Sequence, residues 1–170
     1  MSKSKESKDK TTSSKRAKPA RLGDLLTPNY LVFCEYVLFG QDQGVSLVKL
    51  IDQVGTANLP VTPPRLSLVA EFARCAAVSA SDFRVLKPVL MVQLRNPAGK
   101  RIDLGEYPVS EMSADKMWNI HRLILDLSMG ISFGSEGRYM FEVYGRTEKT
   151  EFELVSQKVL PIYLQKKKKL

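Results

Sequence analysis

From Asn29 onward the chain alternates short apolar runs with turn residues at intervals of about ten, the rhythm of an all-β sandwich or barrel. The first run, "YLVFCEYVLF" (Tyr30 to Phe39), is rich in β-branched and aromatic residues and apolar on both faces, which suits a strand placed centrally in a sheet. "GQDQG" (Gly40 to Gly44) supplies a turn. Val45 to Val54 then returns with Val45, Leu47, Lys49 and Ile51 on one face and Ser46, Val48, Leu50 and Asp52 on the other. This pair is predicted to be the first hairpin of the core.

"LPVTPP" (Leu59 to Pro64) offers too few backbone N–H donors for a central strand and reads as a connection crossing an edge. In Arg65 to Ala73, Leu66, Leu68, Ala70 and Phe72 alternate against Ser67, Val69 and Glu71, as in a half-buried strand. Phe83 to Leu94 is read as the next strand, with Pro88 marking an edge or a bulge. "NPAG" (Asn96 to Gly99) has the residue preferences of a type I turn and should fold Lys100 to Leu104 back onto Val89 to Leu94.

Two periods compete in Ser113 to Leu127. Met117, Ile120, Ile124 and Leu127 fall at helical spacing, whereas His121, Leu123, Leu125 and Leu127 alternate as in a strand. The all-β surroundings favour a short helix near residues 113–117 followed by a strand. In "FGSEGRYMFEVY" (Phe133 to Tyr144), Tyr139, Phe141 and Val143 face one way and Met140, Glu142 and Tyr144 the other. "GRTEK" turns the chain into Thr150 to Ser156, and Val159 to Leu164 closes the pattern. The expectation is one antiparallel β-sandwich of about eight strands over residues 29–164, flanked by disordered basic segments at 1–28 and 165–170.

Four stretches carry a family resemblance: "LVFCEY", "LIDQV" running into the proline-containing connection, the "LRNPAGKRI" hairpin, and "EGRYMFEVY" in a Gly-x-Tyr-x-Phe style. Together they resemble a family of small bacterial immunoglobulin-like sandwich proteins known only as a domain of unknown function. The resemblance spans about residues 29–164 and implies a fold and no activity. The segment "SEMSADKMWNIHRL" and the basic ends are not typical of that family.

Charge changes the picture. The chain of 170 residues has a formal net charge of +8, yet residues 1–21 hold eight Lys or Arg against two acids, and Lys166 to Lys169 add four more positive charges. The remaining residues, 22–165, have 14 basic and 16 acidic side chains and are slightly negative. The basic ends, with Lys15, Arg16, Lys18, Arg21, Lys166, Lys167, Lys168 and Lys169, are candidate contacts for phosphates or an anionic surface. They contain no aromatic residue, which argues against base stacking. Met117 and Trp118 are the candidate anchor for a protein partner, weighed against burial in the core.

Other chemistry is sparse. No run approaches the roughly 18 apolar residues of a membrane-spanning helix, and the amino terminus lacks the apolar stretch of a secretory signal, which leads to the expectation of a cytosolic protein. Cys34 and Cys75 lie in apolar runs without metal-ligand spacing, and are expected as reduced, buried thiols, although a disulfide between facing strands is geometrically conceivable. The single histidine, His121, has no Gly-x-Ser-x-Gly elbow to serve, and no glycine spacing fits a phosphate cradle. Glu151 and Glu153 would share a face of a terminal strand, where charge usually faces solvent. The sequence therefore points to a noncatalytic binding or adaptor module without cofactor or metal, whose expected partner is a protein of unknown identity. The rival is a nucleic-acid-associated protein held by its basic ends, and a dispersed enzyme site is a third reading.

Overall fold

The computed structural model describes residues 21–40, 44–111, 113–115 and 119–165. A short helix α1 (Leu22–Leu25) leads into β1 (Leu26–Phe39), followed by β2 (Val45–Ile51), β3 (Val54–Thr56) and β4 (Ser67–Arg74). A second helix α2 (Ala80–Leu86) precedes β5 (Val89–Arg95) and β6 (Arg101–Pro108). A 3-10 turn at Val109–Glu111 then leads to β7 (Ser113–Asp115), β8 (Ile120–Asp126), β9 (Gly137–Arg146) and β10 (Glu153–Leu164). The strands form two five-stranded sheets, ordered β2-β1-β4-β8-β7 and β3-β10-β9-β5-β6.

The sheets meet through the residues that the alternation places inward. Leu68, Ala70 and Phe72 of β4, Leu90, Val92 and Leu94 of β5, and Tyr139, Phe141 and Val143 of β9 are all buried. Phe33 of β1 meets Phe141 of β9 edge to face, with centroids 5.0 Å apart, and so joins the layers. Burying a side chain of this size stabilises the fold by roughly 1.5–3 kcal/mol. At "NPAG" the Gly99 N–H donates to the Asn96 carbonyl at 2.9 Å, and the Asn96 side chain accepts from the Lys100 N–H at 2.9 Å. Gly99 sits at φ +83°, which explains glycine at that position.

Several expectations need correction. The sheets contain ten strands among the described residues rather than about eight, because the three-residue β3 and β7 escape a pattern search. The last two expected strands are one, β10, with a bulge between Leu154 and Ser156, and Glu151 lies ahead of it. The sandwich is not wholly antiparallel, since β3 runs parallel to β10. β4 is buried on both faces, with Val69 and Glu71 covered as well.

The folded part also begins before Asn29. Leu22, Leu25 and Leu26 belong to the core, and Leu22 packs so closely on β9 that any side chain at Gly145 would overlap it. Of the helix expected near residues 113–117, Ser113–Asp115 form β7 instead, residues 116 and 117 lie outside the described residues, and a helical turn falls just ahead at Val109–Glu111. His121, Leu123 and Leu125 do alternate in β8.

Finally, of the strand expected over Phe83 to Leu94, the part from Val89 is observed as β5, whereas Phe83 to Leu86 belong instead to helix α2. Its start is fixed by Ser79, whose Oγ accepts from the Asp82 N–H at 3.3 Å while the Asp82 carboxylate accepts from the Ser79 N–H at 2.8 Å. Its end is fixed by Lys87, left-handed at φ +39°, and by Pro88, which cannot continue a helix.

Candidate functional site

Helix α2 spans one end of the sandwich. The Glu148 N–H after β9 donates to the Leu86 carbonyl at 2.9 Å, and the Val109 N–H donates to the Pro88 carbonyl at 3.0 Å. Between this helix and the ends of both sheets lies a cleft of about 560 Å³. The first sheet contributes Arg74 at the end of β4 and His121 in β8, while the second contributes Val89 and Pro108. The helical segment supplies Ala80, Phe83, Arg84, Lys87 and Pro88, and Ser110 completes the rim.

The strand register explains how His121 arrives there. It is paired with Phe72 of β4 and lies on the inward face with Leu123, but at the end of the sheet, where α2 covers the core. Its ring stacks on Phe83 with centroids 5.3 Å apart and planes 15° from parallel. Its Nδ1 is buried without a hydrogen-bond partner among the described residues. Burial, aided by the charge of Arg74, pushes the imidazole below its ordinary value of 6.5. His121 is therefore neutral at pH 7, and the positive charge of the cleft comes from Arg74, Arg84 and Lys87.

These three cations differ in how far they are committed. Lys87 Nζ lies 2.7 Å from Glu148 Oε1 in an exposed ion pair. Arg74 donates to the Asn119 side chain, a neutral partner. Arg84 forms no ion pair or hydrogen bond among the described residues. Among the described residues, no carboxylate lines the cleft.

Two buried carboxylates elsewhere are fully engaged. On the outer face of the first sheet, Glu71 accepts from Asn29 Nδ2 at 3.0 Å, Tyr30 OH at 2.9 Å and Arg122 Nε at 2.8 Å. Burial alone would raise its pKa, but these hydrogen bonds and the Arg122 charge hold it below 4.5. On the outer face of the second sheet, Glu142 accepts from Arg95 at 3.0 Å and from the Tyr144 hydroxyl at 3.2 Å.

Of the residues singled out by sequence, Arg21 is exposed immediately before α1, with its backbone N–H on the Asp24 carboxylate at 3.0 Å. Lys15, Arg16, Lys18, Lys166, Lys167, Lys168 and Lys169 lie outside the described residues, as do Met117 and Trp118. Both cysteines are free, Cys34 buried and Cys75 partly so. Among the described residues there is no group of three or more His, Cys, Asp or Glu suited to a metal ion, and no helix long and apolar enough to cross a membrane. The cleft itself was missed because Phe83 to Leu94 was read as one strand. The signal that would have found it is Ser79-x-x-Asp82 ahead of Phe83-x-x-Leu86, a helix start followed by helical spacing. No family model matches the chain, and no curated protein matches it.

Proposed function

We propose that the protein is a cytosolic, noncatalytic binding module of immunoglobulin-like build, whose recognition site is the cleft beneath α2. The observation that carries this reading is the combination of a preformed cavity, within the roughly 300–1,000 Å³ typical of ligand sites, with three cations and, among the described residues, no acid in its lining. Among the described residues of the cleft no hydrogen bond pairs a nucleophile with a base, since the His121 ring rests on Phe83 and its Nδ1 has no partner there.

Strand order supports the immunoglobulin-like part. With β1, β4, β8 and β7 taken as strands A, B, E and D, and β10, β9, β5 and β6 as G, F, C and C′, four strands of each sheet are in an order like that of the variable type, with β2 added beside β1 and β3 beside β10. Tyr139, near the start of β9, has its hydroxyl 3.2 Å from both the N–H and the carbonyl of Ser135, the contact of a tyrosine corner. Phe141 occupies the position two residues on, where antibody domains place a disulfide cysteine, and packs on Phe33 instead.

The test is a fragment library screened by protein-observed NMR on the full chain. The reading expects responding amides to cluster in Ala80 to Val89 and at His121. Responses scattered over the outer faces, or none, would contradict it. The second reading, nucleic-acid association through the basic ends, is motivated by their concentrated charge and predicts steep salt dependence. Six to ten phosphate contacts lose about 10³ to 10⁵ in affinity between 50 and 200 mM salt, which fluorescence anisotropy of labelled DNA and RNA would reveal.

A further inference from the structure

The chemistry of the cleft narrows what it takes. Five of its ten described lining residues, Ala80, Phe83, Pro88, Val89 and Pro108, offer only carbon, and the neutral His121 ring extends that surface. A wholly apolar occupant would satisfy these walls but would strip water from the guanidinium groups without giving them a partner, which is costly. A cation meets three like charges. A polyanion such as a nucleotide asks for more free positive charge than remains after Lys87 pairs with Glu148. An occupant with one anionic head and an apolar body meets every requirement, because a guanidinium presents a planar fork that matches carboxylate and phosphate oxygens.

Building on the cleft as the recognition site, we propose that its ligand is a small amphiphilic anion. A single carboxylate or phosphate-monoester head is held by Arg84 and Arg74, and an aliphatic or aromatic body lies against Phe83, Pro88 and Val89. Arg84 is the principal anchor, being the cation without another partner among the described residues. Arg74 is a secondary one, already oriented by Asn119.

Isothermal titration calorimetry on the full chain tests this with decanoate, 2-naphthoate and decyl phosphate below their micelle concentrations, against decanamide, decanol and inorganic phosphate. At least one amphiphilic anion should bind, with its neutral counterpart at least tenfold weaker and inorganic phosphate weaker still. The carboxylate and phosphate arms identify the head group, and the decyl and naphthyl arms identify the body. Arg84→Gln should weaken the anion about tenfold and leave the neutral compound unchanged, and Arg84→Lys, which keeps the charge but not the fork, should fall between. Equal binding of acid and amide, or an unchanged anion affinity in Arg84→Gln, overturns the anionic assignment while leaving the cleft a binding site. Inorganic phosphate binding as tightly as decyl phosphate overturns the amphiphile. If none of the six compounds binds, the ligand class is wrong, and the fragment screen then reports separately on whether the cleft is a site at all.

Discussion

Two sets of charged side chains, one on the outer face of the first sheet and one around the cleft at α2, differ in how far they are buried and partnered. On the outer face of the first sheet, Glu71 and Arg122 are each about nine-tenths buried, and Glu71 has three donors within 3.0 Å. Around the cleft at α2, Arg74, Arg84 and Lys87 line a cavity that no acid lines among the described residues; Lys87 is paired outside it with Glu148, Arg74 is held by the neutral Asn119, and Arg84 forms no ion pair or hydrogen bond among those residues. Charges buried in matched pairs contribute chiefly to the folded state, since losing one partner strands the other. Arg84 and Arg74, without an acidic partner among the described residues, are the charges that the proposed ligand would match. Substitutions should therefore separate the two regions, with large stability effects and no binding effect at the first, and the reverse at the second.

The largest effect is expected at the paired region. Arg122→Leu leaves the Glu71 carboxylate buried without its cation and should cost about 3–5 kcal/mol in denaturant unfolding, with ligand affinity in the cleft unchanged. The double variant Glu71→Leu, Arg122→Leu should recover most of that loss. A double variant as unstable as the single one would show that the site supports more than its own pairing.

Next comes the junction of α1 with the core. Leu25→Ala should cost about 2–5 kcal/mol, because Leu25 is fully buried. A melting temperature equal to that of the unsubstituted chain would restore the view that structure starts only at Asn29. Ser79→Ala removes the cap of α2 and should cost about 1 kcal/mol, with amide exchange accelerated in Ala80 to Leu86 before the strands.

Acid should weaken the two regions in separate windows. His121 has a folded pKa below 6.5, so its contribution is complete above that value and fades as pH falls from it toward the folded pKa. Glu71 is likewise held below 4.5, so its contribution is lost at lower pH, as pH falls through its own folded value. His121→Phe should flatten stability between pH 7 and 5 while leaving the steeper loss below pH 4.5 in place. An unaltered profile in that variant would show that the imidazole is not the titrating group. The smallest stability effect belongs to Arg84→Gln, an exposed side chain, expected within about 0.5 kcal/mol of the parent.

How much of this was legible in the sequence follows from the range of the interactions. Period-two alternation in Leu66 to Phe72 and in Tyr139 to Val143 reports directly which face is buried, because the strand dictates it locally. The turn at Asn96 to Gly99 is legible for the same reason. The Glu71 cluster is not, since Asn29, Tyr30 and Arg122 are 41 to 51 positions away in sequence and meet only through the β1-β4-β8 register. α2 was open to a local reading, but the strands around it invited the wrong period. The cleft needed both sheets in place, because Arg74 and His121 come from one and Val89 and Pro108 from the other.

The central claim is that Arg84 and Arg74, cations at the cleft without an acidic partner among the described residues, mark a ligand site, and the chain provides one reporter for it. His121 is the only histidine of the sequence, so its imidazole signals in a proton NMR spectrum need no assignment. Titration with whichever amphiphilic anion binds most tightly by calorimetry should move those signals in a saturable way, with the same dissociation constant. Heat that saturates while the His121 resonances stay fixed would place the binding elsewhere and contradict the account.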